Sequence, residues 1–358
     1  MLYVSLHKLM TMKFFLLLLL FINFSRLYSQ PPIGYYNGTQ GLLGDSLRFK
    51  LHDIISNNFQ SVSYSSLYTH YQTTDKKPNG KVWDMYSDIP GGTPPYEYSF
   101  SQICGNYNSE GDCFNREHTV PASWFNDAAP MYTDLFMVVP SDGYVNNKRA
   151  NYPYGKVAVA NWTSLNGSKL GTSGVSGYTG LVFEPIDSFK GDFARIYFYV
   201  ATRYKDEIPS WNSYGVFQGN NLSAWARNLF IQWHNLDPVS TKEIERNNAV
   251  FAIQHNRNPY VDRPEFVSAV WLGTYDVDYL SNPTISIFPN PASTQLTLQL
   301  STTFPYTIDL YNSLGQKIIN YYPTESTIIL DISGIKSGVY FIKAYNSNFS
   351  VFTKFIKQ

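Results

Sequence analysis

A glutamate and a histidine stand side by side in the stretch Asn115–Trp124, NREHTVPASW, with Arg116 before them and Pro121 after. Glu117 is of a type that holds a hard cation. His118, whose reference pKa of about 6.5 leaves it largely neutral at pH 7, is of a type that accepts a proton. Further on, in SDGYVNNKRANYPYG, Asn146 and Arg149 are three residues apart, the spacing that puts two side chains on one helix face. An amide oxygen is a second hard ligand. Mg2+ suits such a pair because it binds few protein oxygens and keeps waters and substrate phosphates, and Ca2+ and Mn2+ are candidates for the same place. Arg149, Arg116 and Lys148 are candidate phosphate contacts, the arginines because a guanidinium forks onto two oxygens. A base, a cation and positive donors are what hydrolysis of a phosphodiester requires.

Each group also has a plain structural reading. An adjacent Glu-His pair is commonly a solvated surface pair, Arg149 can pair with Asp134, and Asn146 can close a turn. Geometry adds a condition. Neighbouring residues of a regular strand point to opposite faces, so a single centre shared by Glu117 and His118 requires an irregular backbone at 117–118. Pro121 makes such a departure reasonable, since it cannot donate to a strand ladder. His70, His234 and His255 have no acid or cysteine at ligand spacing and read as core or surface histidines.

Several elements must position these residues. Pro140, Ser141 and Asp142 are helix-start types and Pro153 forbids much continuation, so one short helix is expected from Gly143 to about Ala150. Leu135–Val139 reads as a buried strand or helical turn. Upstream, Leu47, Leu51, Ile54 and Ile55 give an amphipathic helix over Asp45–Asn58 with Asp45 as its cap, and short strands are expected at Lys81–Tyr86 and Tyr96–Phe100. The Gly- and Ser-rich segment Lys156–Gly180 reads as an elaborated hairpin or long loop. Three scaffold helices follow, one with Phe193, Ile196, Tyr197, Val200 and Ala201 on its apolar face, then Leu222–His234 and Lys242–Gln254.

The chain has 358 residues, zero formal net charge, 15% charged residues and 17% aromatics, so its surface relies on Tyr, Asn, Ser and Thr. That excludes a disordered chain and a strongly basic nucleic-acid-coating protein, although a local basic groove is compatible with it. The apolar run Phe14–Phe24 is short of the ~18 residues of a membrane span and predicts a signal peptide over 1–29. No later segment is apolar enough to cross a bilayer. Once exported, Cys104 and Cys113 would meet an oxidising setting, where the polar loop between them closes into a disulfide or leaves two free thiols. A catalytic domain is expected over 30–275 and a linker over 276–283. Over 284–358 the pattern changes to alternating short strands, a small all-β sandwich.

The blocks CFNREHTVPASWF, TDLFMVVPSDGYVNNKRANYPYG, FKGDFARIYFYVATRY and IQHNRNPYVDRPEF, in this order, resemble the endonuclease I family of secreted or periplasmic bacterial nucleases. The resemblance implies an α+β fold with a ββα-metal (His-Me finger) core surrounded by helices. It also implies Glu117 and Asn146 as Mg2+ ligands and His118 as the general base, with Arg149 beside them. Two departures stand out. Phe136 and Met137 occupy a block that usually carries a histidine or asparagine, and Asn126–Thr133 lacks the phosphate-binding arginine that some relatives place there. The tail, through IFPNPAS, YNSLGQKI, SGVYFIKA and TKFIKQ, resembles the C-terminal sorting domain of type IX secretion substrates, which implies the type IX secretion machinery as a partner. The expectation is a secreted, monomeric, Mg2+-dependent endonuclease of low sequence specificity acting on DNA, with RNA as a second candidate substrate. Two rivals are an inactive nuclease-like module that binds nucleic acid at the cell surface and a metal-dependent hydrolase of another ester.

Overall fold

The computed structural model describes residues 31–274 and, beyond them, 285–358 apart from 301–305, 322, 324–326 and 346–349. The expected signal peptide and linker lie outside the described residues. The described residues fall into two compact units, 31–274 and 285–358. In order, the first contains α1 (Gly44–Ser56), α2 (Leu67–Thr74), β1 (Phe114–His118), β2 (Val138–Asp142), α3 (Gly143–Arg149), β3 (Val157–Thr163), β4 (Lys169–Ser173) and β5 (Leu181–Glu184). It continues with α4 (Lys190–Arg203), β6 (Phe217–Gln218), β7 (Asn221–Leu222), α5 (Ala224–Leu236), α6 (Thr241–Gln254), α7 (Pro259–Asp262) and α8 (Phe266–Trp271). No described helix is long and apolar enough to cross a membrane.

Helix α4 is the axis of this unit. Every residue from Gly191 to Arg203 is buried, as expected of a helix packed on all sides, and α1, α5 and α7 lie against it. Its tyrosines carry an apolar body and a polar tip, and the tips reach the segments that hold the site. Tyr197 Oη donates to the Thr119 carbonyl at 3.0 Å, while Tyr199 and Tyr204 donate to Asp134 Oδ2 at 2.8 and 2.7 Å. Asp134 also receives Gln254 Nε2 from α6 at 3.0 Å and the Phe136 amide at 2.9 Å. The loop from β1 to β2 is therefore anchored by a buried carboxylate whose donors come from two helices.

Strands β1 and β2 pair antiparallel from Phe114↔Asp142 to His118↔Val138, and the next residue continues the ladder, Thr119 N donating to Met137 O at 2.9 Å. The backbone at 117–118 is thus regular strand, which corrects the expectation of a kink there: both positions are held in register by β2. Asp142 ends β2 and caps α3, its Oδ1 accepting from Val145 N at 2.8 Å, and Ala150 at φ 47° stops the helix. The short helix expected over Gly143–Ala150 is present as Gly143–Arg149. Lys148 and Arg149 in its last turn complement the helix dipole.

Other expectations shift. The segments Lys81–Tyr86 and Tyr96–Phe100 are not strands: Val82 makes one isolated bridge with Lys76, and the chain turns after Asp84. Val82 N bonds Tyr98 O and Trp83 N bonds Asp75 O, while Asp84 turns its side chain to the Tyr86 amide, so no continuous ladder forms. Helix α1 begins at Gly44 with Leu43 at its cap position, and Asp45 sits in the first turn, bonded to Arg48. The Lys156–Gly180 segment does form a hairpin, β3 with β4, extended by β5 in the order β3-β4-β5. Cys104 and Cys113 form a disulfide. It packs against the start of α3 so closely that a Cβ at Gly143 would lie 2.5 Å from Cys104 Sγ.

The second unit is all β among its described residues: β8 (Ile285–Phe288), β9 (Gln295–Leu300), β10 (Thr307–Asn312), β11 (Lys317–Tyr321), β12 (Thr327–Asp331), β13 (Gly338–Tyr345) and β14 (Ser350–Lys357). A four-stranded sheet, β11-β10-β13-β14, faces a three-stranded one, β12-β9-β8. Alternate residues point inward, so Leu296, Leu298 and Leu330 from one sheet meet Ile308, Leu310 and Ile342 from the other. This is the alternation that the sequence shows.

Candidate functional site

Because β1 is regular, its side chains divide between two faces. Asn115 and Glu117 face one way, and Arg116 and His118 the other. The partners follow this division. On the first face, Glu117 is 2% exposed, and its Oε1 accepts from Tyr86 Oη at 2.7 Å, Arg149 Nη1 at 2.9 Å and Tyr154 Oη at 3.5 Å. Tyr86 and Tyr154 are themselves joined at 2.6 Å. All of these contacts fall on Oε1 and none on Oε2. Burial pushes the Glu117 carboxyl above the ordinary carboxylate range, and the Arg149 guanidinium works against that shift.

On the second face, His118 is half-buried among near-parallel rings, 4.9 Å from Tyr132 and 6.1 Å from Tyr64, with the edge of Phe125 at 6.3 Å. Its Nε2 lies 3.0 Å from the Tyr132 carbonyl. A carbonyl can only accept, so Nε2 carries the proton and Nδ1 keeps a free lone pair. Burial disfavours the charged ring and lowers its pKa to about 4, so the ring is neutral at physiological pH.

Helix α3 joins the two faces through the outer edge of β1. That edge is not paired by a strand beyond Phe114, and buried carbonyls need donors. Asn146 Nδ2 donates to the Arg116 carbonyl at 3.2 Å and to Asn115 Oδ1 at 2.7 Å. One helical turn on, Arg149 Nη1 donates to the His118 carbonyl at 2.8 Å and Nη2 to the Thr119 carbonyl at 2.6 Å. The three-residue spacing of Asn146 and Arg149 therefore matches alternate carbonyls of the strand. With its nitrogen committed, Asn146 offers Oδ1. Behind the helix cap, Asp84 Oδ2 accepts the Asp142 amide at 2.8 Å, and Asp142 Oδ2 accepts Tyr98 Oη at 2.5 Å. Desolvation, with the charge of Asp142 beside it, raises the Asp84 pKa to about 7.

The structure brings the Glu117 and Arg149 side chains together and ties Asn146 and Arg149 to the backbone carbonyls of Arg116 and His118, while the His118 ring lies on the other face of β1; it moves two expected phosphate contacts elsewhere. Arg149 is 1% exposed and pairs with Glu117 in place of Asp134, so its buried guanidinium positions the strand and cannot meet a phosphate in solution. Arg116 lies 3.7 Å over the Tyr64 ring and 4.4 Å over Tyr68, and donates to the Tyr64 carbonyl at 2.9 Å, on the face opposite Glu117. Lys148, half-buried, holds its ammonium 5.1 Å over the Tyr144 ring. Among the described residues no group of three or more His, Cys, Asp or Glu side chains is arranged to hold a metal. Phe136 and Met137 are buried and supply no polar group. His234 is a core histidine 3.3 Å from Arg195, and His255 ends α6 in the left-handed conformation.

Sequence reasoning missed Tyr86 and Tyr154, which hold Glu117 from 31 and 37 positions away, and the Tyr132 carbonyl that sets the His118 tautomer. Tyrosines are so frequent here that no spacing signal singles these out.

Residues 43–265 match the family described as Endonuclease I, and residues 286–358 match the secretion system C-terminal sorting domain. The chain is 31% identical over 246 residues to an extracellular ribonuclease of Bacillus subtilis, covering 66% of this chain and 78% of that one. It is 32% identical to the extracellular ribonuclease of Bacillus amyloliquefaciens, with the same coverage. It is 24% identical over 249 residues to an extracellular deoxyribonuclease of Aeromonas hydrophila, covering 67% of this chain and 86% of that one. The sorting domain marks a secreted or cell-surface protein. From the blocks around β1, β2 and α3 and the match that spans them, the chain belongs to the endonuclease I family.

Proposed function

We propose that the protein is an extracellular, metal-dependent endonuclease that hydrolyses phosphodiester bonds of DNA or RNA with little sequence preference. The observation that carries the reading is the β1–β2–α3 unit, in which Arg149 binds the buried Glu117 carboxylate and the backbone carbonyl of His118 while Asn146 binds the next carbonyl along the same strand edge. Relatives named as a ribonuclease and as a deoxyribonuclease support a nucleic-acid substrate without a fixed sugar. Contacts to phosphate carry no base information, which suits low sequence preference.

The donor set fits a hard divalent cation. Glu117 Oε2 is left over once Oε1 has taken its three donors, and Asn146 Oδ1 is left over once its nitrogen is bonded. One carboxylate and one amide oxygen are few ligands, as Mg2+ prefers when waters and phosphates complete its shell. When bound, such an ion would polarise the phosphate and stabilise the leaving oxygen. The chain's own residues do the rest. Arg149 opposes the rise that burial imposes on the Glu117 carboxyl, and the Tyr132 carbonyl holds the His118 proton on Nε2, so that Nδ1 is the atom that takes a proton from water. Of the three expected phosphate contacts, Lys148, at the end of α3, is the one that neither full burial nor a backbone carbonyl engages.

The test is relaxation of a supercoiled plasmid by the mature chain with Mg2+, with chelator, and with His118→Ala. Loss of a positioned base is expected to lower the rate by about 10²–10⁴-fold, and undiminished cleavage by that variant would sink the assignment. Mg2+ should also raise the melting temperature of the wild type but not of Glu117→Gln.

A further inference from the structure

On the far side of His118 a connected set of rings leads away from the site. Phe125 touches His118, and its neighbour Trp124 lies 6.0 Å from Tyr214. The Trp124 carbonyl accepts from Asn212 N at 3.0 Å, which fixes the loop that carries Tyr214. The indole of Trp225 donates to the Gly215 carbonyl at 2.8 Å and stacks on Tyr178 at 4.7 Å and 27°.

These rings are held in place yet left uncovered. Tyr214 is 50% exposed and sits at φ 52°, a left-handed conformation that is costly for a bulky side chain and persists only where its surroundings impose it. Tyr178 and Trp225 are each half-buried. Tyr178 folds back over Gly180, where a Cβ would stand 2.5 Å from the hydroxyl, and Gly177, at φ 91°, leaves room beside Trp225. Two loops and a helix start thus converge on a partly exposed aromatic cluster, and the buried side chains of Trp124 and Phe125 lie between it and the His118 ring.

We infer that Tyr178, Tyr214 and Trp225 form a stacking platform for the bases of single-stranded nucleic acid, a binding subsite that adds to the phosphate contacts a duplex also makes. The inference rests on the nuclease reading above and deepens it. Every base has a π face, so stacking holds a strand without reading its sequence, whereas paired bases in a duplex keep their faces buried.

Binding of a labelled oligothymidylate to the mature chain, in chelator so that nothing is cut, tests this against an abasic strand and a duplex of the same length. The oligothymidylate should bind more tightly than either. Tyr214→Ala and Tyr178→Ala should each weaken it about tenfold, within the range found for one base on one aromatic ring. Tyr214→Phe should restore binding, which separates ring stacking from a folding defect, and the duplex affinity should not move. Equal affinity for the abasic strand, or alanine variants that bind like wild type, would overturn the platform. A chain that binds the strand through these rings yet cuts nothing with Mg2+ would uphold the platform and overturn the nuclease reading. Cleavage with inert ring variants would do the reverse.

Discussion

The two units solve burial in opposite ways. The first hides whole guanidinium groups, Arg48, Arg149, Arg195 and Arg257, and pairs each with a carboxylate, while the core of the second is built from Leu, Ile, Ala, Tyr and Phe. An apolar core is non-directional and forgiving of repacking, whereas a buried ion pair is weak evidence of net stability but expensive to break on one side. The contrast suggests that the first unit spends its interior on fixing directions. Arg149 illustrates this, since one side chain sets a carboxylate and two carbonyls of the strand that carries Glu117 and His118.

The sharpest way to break the contrast is Arg149→Ala. It leaves Glu117 buried without its cationic partner, so a loss of about 3–5 kcal/mol is expected on chemical denaturation, with cleavage lost in whatever remains folded. A cost under 1 kcal/mol would mean that the polar interior is ornamental. Leu298→Ala in the second unit should cost about 2–5 kcal/mol, as a cavity does, but only in the melting of that unit, with plasmid cleavage retained. Replacing both Cys104 and Cys113 by alanine frees a loop of sequence separation 9, and chain entropy puts the loss at about 2–3 kcal/mol in the first unit.

Acid should part the two units more gently. The lowered His118 pKa means that the free ring is protonated only below about pH 4, so kcat/KM should be level toward neutrality and fall about tenfold per pH unit below that point. In the second unit, desolvation would raise the Asp309 pKa, but hydrogen bonds from Lys317, Asn320 and Tyr311 outweigh it and hold the carboxyl at about 2. A depressed carboxylate stabilises the fold above its unfolded pKa of about 3.9, and that stability is lost as the pH falls through the folded value. Activity should therefore fail near pH 4 while the Asp309 contribution persists toward pH 2. An acid limb near pH 6.5, the ordinary histidine value, would show that burial does not depress the His118 ring.

Much of this was legible in the residues, for definite reasons. Asp142 after Pro140 and Ser141 announced a cap, and α3 starts there. The alternation in TQLTLQL and TIILD announced strands with one buried face, and both are present in the smaller sheet. What was not legible depended on partners distant in sequence. The expectation of a kink at 117–118 assumed that Glu117 and His118 must face one centre. The chain keeps a regular strand and joins them through carbonyls at its unpaired edge, and a sequence does not say which edge goes unpaired. The strands expected at Lys81–Tyr86 and Tyr96–Phe100 failed for a related reason, because their amides bond across to each other and to Asp75 without building a ladder. Arg149 had two acids in prospect, and Asp134 was already committed to Tyr199, Tyr204 and Gln254.

The closeness of the cystine to Gly143 has a consequence for how this chain can vary. Position 143 tolerates nothing beyond hydrogen while Cys104 Sγ and the Tyr107 ring occupy the adjoining space, at 2.5 and 3.0 Å from where a Cβ would stand. The glycine and the cystine, 39 positions apart if counted from Cys104, are thereby bound in an epistatic pair. Loss of Cys104 removes the tighter of the two obstacles to an alanine at 143 and leaves the Tyr107 ring to give way, so the bridge must go before the glycine can.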